Sequence, residues 1–317
     1  MLNEHALNSA AEALHAGHLV AFPTETVYGL GADALNVFSV SRLYQIKQRP
    51  LNHPVIIHVS DFSKIYFWAD RLPDYLDNLV ARFIPGPITL ILNKSESLQI
   101  TNITGNQEKV AIRIPKHSVA TSVLSKFEKL GGRGVVAPSA NKFGKVSATN
   151  GLDIEKELGL DLGKHDLILN DGDCEIGIES TILDCTSKIP RILRPGYITK
   201  EEIDECLGFE VNFSEDFYNK RNLKYSGMFS KHYSPKAKVI FEGIPSFNDG
   251  YIGLSNQVVP HGVKVLALPK NSEEFAQLLY KTFRRADSLG FERIFVSLPK
   301  FGKLASAIRD RVLRAAG

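Results

Sequence analysis

Residues 44–58 read YQIKQRPLNHPVIIH, and this stretch predicts the end of a helix, a turn and a buried strand. The helical pattern stops at Pro50, and the apolar run that begins at Val55 is typical of a strand. Four side chains of the stretch are expected to converge near the mouth of that strand: Lys47, Arg49, His53 and His58. Such a cluster suits an anion, although cations at the end of a helix also favour the helix dipole without any ligand.

The composition predicts a compact globular chain of more than one domain. Its 317 residues allow one large and one small domain or two comparable ones, and 44% of them are hydrophobic and 23% charged. No stretch approaches about eighteen consecutive apolar residues, and the N-terminus lacks a basic start followed by an apolar run. We therefore expect a cytoplasmic protein without a membrane span. The net charge of +3 is too small to indicate nucleic acid binding.

Outward from the opening stretch, short apolar strands are repeatedly followed by polar segments. The strand at residues 19–22 leads into PTETVYGLGADA, which we expect to be a polar loop, and the strand at residues 110–114 carries Arg113 within an apolar run. Gly29, Gly31 and Ala34 match a dinucleotide-binding pattern, but the acidic ribose partner expected about 20 residues later is missing. Strands that alternate with helices predict a mixed α/β fold.

The pattern also predicts where the domains end. A helix at residues 200–207 closes a first domain of residues 1–207, and residues 208–238 form an aromatic-rich linker. Residues 239–317 then form a small α/β domain. Among the helices, one is expected over residues 72–83 with Pro73 in its first turn, and another over residues 273–289 with Ser272 as its N-cap.

Several familiar kinds of site are missing from the sequence. The segment GLDLGKH at residues 159–165 lacks the Ser or Thr of a phosphate-binding P-loop, and no nucleophile elbow, zinc-protease helix or EF-hand is present. The cysteines Cys174, Cys185 and Cys206 lack metal-ligand spacing, which predicts neither disulfides nor structural zinc. The cations and small polar residues that follow strands suit a reaction driven by positioning and charge stabilisation, such as attack on a phosphoryl centre.

Taken together, the motifs resemble those of the YrdC/Sua5 family. They are PTETVYGL, KQRPLNHPVIIHV, PGPITLIL, VAIRIP, APSANKFGKVS, GIESTILD and ILRPGYI, and the segment HYSP with a small α/β domain after it is similar to the longer Sua5 branch. The resemblance covers nearly the whole chain. It implies a YrdC-like twisted, mixed sheet with helices and a small Rossmann-like C-terminal α/β domain.

The resemblance also implies an activity, that of a nucleotidyltransferase. The substrates would be ATP, L-threonine and bicarbonate, and the products threonylcarbamoyl-AMP and pyrophosphate. The first product is the activated intermediate for N6-threonylcarbamoyladenosine in tRNA. Mg²⁺ is expected with ATP, no organic cofactor is expected, and the partner would be the transferase machinery that modifies tRNA.

Site residues follow from the same resemblance, motif by motif. The threonine-side positions are Thr26, His58, Arg113 and Ser180. The nucleotide-side positions are Lys47, Arg49, His53, Ser139, Asn141, Ser147, Arg194, His232 and Tyr233. Lys47 and Arg49 would be the catalytic residues, because they would stabilise charge on the phosphates. His53 stands where the family often has Asn.

Two other functions stay open at this point. One is carbamoyl transfer, since a related domain occurs in hydrogenase-maturation carbamoyltransferases. The other is a non-enzymatic module that binds double-stranded RNA or takes part in ribosome assembly, and a weak RNA contact is also considered among the partners. The linker likewise has two interpretations. Its aromatic residues predict a lid over the site, whereas a simpler alternative is that they hold the two domains together.

Overall fold

A computed structural model describes residues 2–100, 102–213 and 232–317, which form two sheets with helices packed on them. The helices are α1 (Glu4–His15), α2 (Val37–Lys47), α3 (Ile65–Trp68), α4 (Leu76–Phe83), α5 (Ser118–Lys129), α6 (Gly151–Leu158), α7 (Lys200–Leu207), α8 (Ser272–Ser288) and α9 (Ala305–Ala316). The strands of the first sheet are β1 (Val20–Phe22), β2 (Gly29–Asp33), β3 (Ile56–His58), β4 (Ile88–Asn93), β5 (Lys109–Arg113), β6 (Val135–Val136), β7 (Leu167–Ile168), β8 (Thr181–Asp184), β9 (Arg191–Arg194) and β10 (Asn212–Phe213). Those of the second are β11 (Lys238–Ile240), β12 (Gly250–Ile252), β13 (Lys264–Ala267) and β14 (Arg293–Val296).

The first sheet is mixed and has the strand order β10-β9-β8-β4-β5-β3-β6-β2-β1-β7. Strand β3 lies between β5, to which it is parallel, and β6, to which it is antiparallel. The register of β3 and β5 places His58 directly beside Arg113, so both side chains lie on the same face of the sheet, at the carboxyl ends of the two strands. The predicted mixed α/β fold is confirmed.

The segment PTETVYGLGADA differs from the expected polar loop, because its second half is strand β2. This strand pairs with β1 through Gly31 and Val20, and a Cβ at Gly31 would lie 2.8 Å from the Phe22 ring and 3.0 Å from the Val20 carbonyl oxygen. Gly31 is therefore required by close packing inside the sheet. Close packing accounts for Gly31, so no bound nucleotide is needed to explain it. This agrees with the absence of an acidic ribose partner in the sequence.

Two helix starts also differ from the sequence-based expectation. Helix α4 begins at Leu76, because residues 73–75 form a turn in which the Pro73 carbonyl accepts a hydrogen bond from Leu76 N (2.9 Å). At α8 the N-cap is Asn271, whose side chain accepts from Glu274 N at 2.8 Å, and Ser272 is the first helical residue. Asn and Ser are both good N-caps, so residue type alone does not show which of the adjacent Asn271 and Ser272 caps the helix.

The C-terminal sheet is wholly parallel, with the order β11-β14-β12-β13, and α8 and α9 pack on it. Its hydrophobic core continues into the first domain: Phe275 and Leu279 of α8 belong to the same buried cluster as Val27, Val146 and Ile178. Burial of apolar surface across this boundary joins the two domains tightly. In the part of the chain that the structure describes, no helix is long and apolar enough to cross a membrane.

Candidate active site

One cavity opens at the carboxyl ends of β3 and β5, where the first sheet meets the segment that follows the linker. Four cationic side chains and one carboxylate line it, together with two histidines and several small polar groups. The lining residues are Val27, Lys47, Arg49, Ile56, His58, Arg113, Ala137, Pro138, Ser139, Asn141, Phe143, Glu179, Ser180, Arg194, His232 and Tyr233. Ten of the thirteen residues predicted for the site are among them. Their convergence makes the cavity suited to an anion.

Lys47 is the last residue of α2 and is almost completely buried. Its ammonium group donates to the carbonyl oxygens of Ser139 and Asn141, which ties the end of the helix to the segment after β6. Burial and the nearby charge of Arg49 lower the pKa of Lys47 to about 7. A bound anion would favour the charged form of Lys47.

Arg49 follows Lys47 after a single residue in the left-handed conformation, Gln48 (φ 52°). Its Nη2 donates to the Pro54 carbonyl at 2.7 Å, and its guanidinium lies 5.7 Å from the centre of the Phe143 ring. Nε has no hydrogen-bond partner among the described residues. A buried guanidinium that is fixed at one end and has a spare donor at the other can bind an oxyanion from outside.

Arg113 ends β5 and forms an ion pair with Glu25, with Nη2 2.9 Å from the carboxylate Oε1. The N–H bonds are not aimed at the carboxylate, so Nε and Nη2 of Arg113 and both oxygens of Glu25 make no hydrogen bond within residues 2–100, 102–213 and 232–317. Both side chains are about 95% buried. Of the two side chains, Arg113 lines the cavity, and its spare hydrogen-bond donors suit an anionic ligand.

His58 lies beside Arg113, and its Nδ1 donates to the Ile56 carbonyl at 3.2 Å, since a carbonyl can only accept. Burial and the charge of Arg113 lower the pKa of His58 to about 3. The ring is therefore neutral at pH 7, with Nε2 as an acceptor. This excludes His58 as a source of positive charge in the cavity.

The shifted pKa of His58 predicts a pH-dependent stability. The unfolded chain takes up a proton near pH 6.5 and the folded protein near pH 3, so the free energy of unfolding should fall as the pH decreases between these values. His58→Gln should reduce this slope by about one proton, or about 1.4 kcal/mol per pH unit. Urea unfolding at several pH values measures it, with the exposed His261→Gln as control. Equal slopes in the wild type and His58→Gln would contradict the assignment.

Ser180 and Arg194 form the wall at the ends of β8 and β9. Arg194 donates from Nε and Nη2 to the Ser180 carbonyl at 3.1 and 2.9 Å, and from Nη2 to the Ser180 hydroxyl at 3.2 Å. That hydroxyl also shares a hydrogen bond of 2.8 Å with Thr89. These hydrogen bonds to the residue directly before β8 fix the orientation of the guanidinium.

His232 and Tyr233, from the HYSP segment, close the cavity on the side of the C-terminal domain. The His232 ring meets Phe143 edge-on, and its amide donates to the Arg314 carbonyl at 2.9 Å. Burial lowers the pKa of His232 to about 3. The rest of the predicted lid, residues 214–231, lies outside the described residues, so the lid stays a prediction.

Three predicted residues do not line the cavity. Thr26 is fully buried and shares a hydrogen bond of 2.9 Å with Thr24, His53 packs behind the wall against Phe143, and the Ser147 hydroxyl donates to Glu179 at 2.5 Å. His53 and Ser147 thus each contact a lining residue, Phe143 and Glu179. Six residues of the cavity were not predicted: Val27, Ile56, Ala137, Pro138, Phe143 and Glu179. A carboxylate within the largely apolar run IGIESTIL was the available signal for Glu179.

Two family models match the chain nearly from end to end. Residues 12–196 match the Sua5/YciO/YrdC family, described as "Telomere recombination", and residues 198–317 match "Threonylcarbamoyl-AMP synthase, C-terminal domain". The chain belongs to the Sua5 family. This confirms the resemblance seen in the sequence, while the predicted domain boundaries at residues 207 and 239 stay predictions.

Members of the Sua5 family match over almost their full length. The threonylcarbamoyl-AMP synthase of Pyrococcus abyssi is 35% identical, with 100% of this chain and 95% of the relative covered. The enzyme of the same name from Bacillus subtilis is 34% identical, with 99% and 94% covered. A crystal structure of P. abyssi Sua5 complexed with L-threonine superposes with a TM-score of 0.89 at 34% identity, with 100% of this chain and 96% of that chain covered.

Proposed function

We propose that this protein is a threonylcarbamoyl-AMP synthase, a nucleotidyltransferase. In this reaction the amine of L-threonine and bicarbonate form a carbamate and release water. A carbamate oxygen then attacks the α-phosphorus of ATP, the bond from that phosphorus to the bridging oxygen breaks, and pyrophosphate leaves. The observation that carries the proposal is the cavity with four cations in a chain that is similar, over its whole length, to synthases of this name.

The threonine side of the proposed site is the Arg113 corner. The planar guanidinium of Arg113 can bind a carboxylate through two parallel hydrogen bonds, and its Nε and Nη2 make none within the described residues. Glu25 holds the guanidinium in place. Neutral His58 adds an acceptor beside it, which suits the hydroxyl or amine of threonine. The P. abyssi structure with bound L-threonine supports this substrate.

The nucleotide side of the proposed site is formed by Lys47, Arg49 and Arg194. All three are buried and held by backbone carbonyls, so they are preorganised before ATP enters. Fixed cations of this kind stabilise charge that develops on the phosphates in the transition state. The side-chain Oδ1 of Asn141, buried and without a hydrogen-bond partner in the described part of the chain, adds an acceptor for a ligand hydroxyl or amine.

Mg²⁺ enters this proposal as part of the nucleotide. The described residues contain no group of three or more His, Cys, Asp or Glu side chains that could hold a metal ion. Glu179 at the cavity and Glu25, the partner of Arg113, each form an ion pair with an arginine. The side chains therefore do not fit a protein-held magnesium site, and the phosphates and water would supply its ligands.

Other predicted properties remain proposals. Bicarbonate as carbon donor, tRNA-modifying machinery as acceptor of the product and a cytoplasmic location follow from the sequence and from the family. Neither RNA binding nor carbamoyl transfer is favoured by a specific observation at the cavity.

Pyrophosphate release tests the proposed function. The purified protein with ATP and Mg²⁺ should release pyrophosphate only when both L-threonine and bicarbonate are present, because the carbamate is the nucleophile. Omission of either should reduce release to background, and L-serine in place of threonine serves as the control for a generic amino acid. Release that is independent of threonine would contradict the proposal, and an RNA-binding module should show no release.

A further inference from the structure

A buried polar network joins the C-terminal domain to the wall of the cavity. Its centre is the carboxylate of Glu179, which lines the cavity and precedes Ser180. Glu179 accepts from the hydroxyl of Ser147 at 2.5 Å and from the hydroxyl of Tyr280, on α8, at 2.9 Å. All three side chains are more than 90% buried. A carboxylate in such a place must have its charge compensated.

Arg311 on α9 supplies the compensating charge from the other domain. Its Nε donates to a Glu179 carboxylate oxygen at 2.8 Å, and its Nη2 donates to the Glu179 carbonyl at 3.3 Å. The guanidinium lies 5.3 Å from the centre of the Tyr233 ring, and its side chain is fully buried. One arginine therefore contacts both the carboxylate and an aromatic residue of the cavity wall.

The negative charge of Glu179 matters because the other charged side chains that line the cavity are cations. Burial alone would raise the pKa of Glu179, but the charges of Arg311 and Arg194 and the donated hydrogen bonds hold it at about 2. Without Arg311, an ionised Glu179 would face the cavity with less compensation. It would then repel the phosphates of ATP and compete with them for Arg194.

We propose that Arg311 is a positioning residue of the active site, and that the C-terminal domain completes that site by holding Glu179 in the cavity wall. The proposal rests on the proposed function, since it concerns the binding of ATP. It gives the small domain a role in catalysis without direct contact between Arg311 and the substrate.

A purely structural role is the alternative, because further ion pairs also join the domains. Each places the cation on the C-terminal domain: Lys281 with Asp173, Arg284 with Glu157, and Lys303 with Glu202. None of these six residues lines the cavity. Lys281→Met therefore removes an ion pair between the domains without changing the network around Glu179, and it is the matched control.

The test compares Arg311→Met, Arg311→Lys, Glu179→Gln, the double variant Arg311→Met/Glu179→Gln and Lys281→Met. For each, kcat and KM for ATP and for threonine are measured between pH 6.5 and 9, and folding is checked by thermal unfolding. Arg311→Met should lower kcat/KM for ATP about tenfold or more at pH 8, and Arg311→Lys less. Lys281→Met should stay within about twofold of the wild type.

Two readouts separate positioning from stability. Loss of the Arg311 charge raises the pKa of Glu179 and favours its protonated form at the lower pH, so the deficit of Arg311→Met relative to the wild type should shrink as the pH falls. The double variant should recover at least about threefold. The charged and titratable groups around Glu179 include Arg311, Arg194, His232, Tyr233 and Tyr280, and Arg311 also pairs with Asp310, which keeps Arg314 as a second partner. The kcat/KM for ATP of each variant is divided by that of the wild type at the same pH. This ratio removes the effect of groups that titrate equally in the variants and the wild type.

Specific outcomes would overturn the inference. A folded Arg311→Met that matches Lys281→Met in KM for ATP and in pH profile contradicts it, as does a double variant no better than Arg311→Met. If Arg311→Met does not fold, an Arg311→Lys protein with wild-type kinetics at every pH contradicts it instead. A wild-type protein that releases no pyrophosphate would show that the proposed function, rather than this inference, has failed.

Discussion

Lys47→Ala is expected to lose at least a hundredfold in synthase turnover. A transition-state cation contributes on the order of 3 kcal/mol, which corresponds to roughly a hundredfold in rate. The ammonium of Lys47 also holds the carbonyls of Ser139 and Asn141, so the substitution displaces two further residues of the cavity wall. Arg49→Ala should behave similarly, because its guanidinium is buried beside Phe143 with a spare donor.

The measurement is pyrophosphate release under saturating substrates, together with circular dichroism and thermal unfolding. Loss of the two hydrogen bonds should also reduce the stability of Lys47→Ala by about 1–3 kcal/mol, since the carbonyls are left without their donor. The exposed Lys64→Ala is the control and should keep full turnover. Turnover close to that of the wild type in a folded Lys47→Ala protein would contradict a role of Lys47 in catalysis.

Arg113→Lys is expected to raise the KM for threonine about tenfold or more, with a change in the KM for ATP of less than about threefold. Lysine keeps the positive charge but cannot present two parallel donors to a carboxylate. It can still pair with Glu25, so the fold should persist. Steady-state kinetics with each substrate varied in turn measure both constants.

The exposed Arg133→Lys is the control for the loss of a guanidinium, because this residue stacks on Phe67 away from the cavity. Both KM values should be unchanged in it. An equal rise of both constants in Arg113→Lys would assign Arg113 to the nucleotide side or to the integrity of the sheet.

Much of the site was predictable because its residues lie in short local patterns. Lys47 and Arg49 stand at a helix end before a proline, and Arg113 stands out in an apolar strand. The neighbouring register of His58 and Arg113 was not predictable, since strand order is a property of the whole sheet. The strand β2 was missed because its glycines read as a loop, whereas close packing against Phe22 explains one of them.

The network around Glu179 could not be predicted from local sequence patterns. Glu179 and Arg311 are 132 positions apart and lie in different domains. Arginine side chains are most often exposed, so no local sequence pattern indicated that Arg311 is buried at the site. Only the packing of α9 against the first domain brings its guanidinium to the wall of the cavity.

The most direct test of the central claim is mass spectrometry of the product formed with ¹³C-bicarbonate. The protein, incubated with ATP, Mg²⁺, L-threonine and the labelled bicarbonate, should form threonylcarbamoyl-AMP that carries one ¹³C, with one pyrophosphate released for each molecule. Lys47→Ala under the same conditions should form at most about a hundredth of that amount. Release of pyrophosphate without a labelled threonylcarbamoyl adenylate, or no product from the folded wild-type protein, would contradict the account.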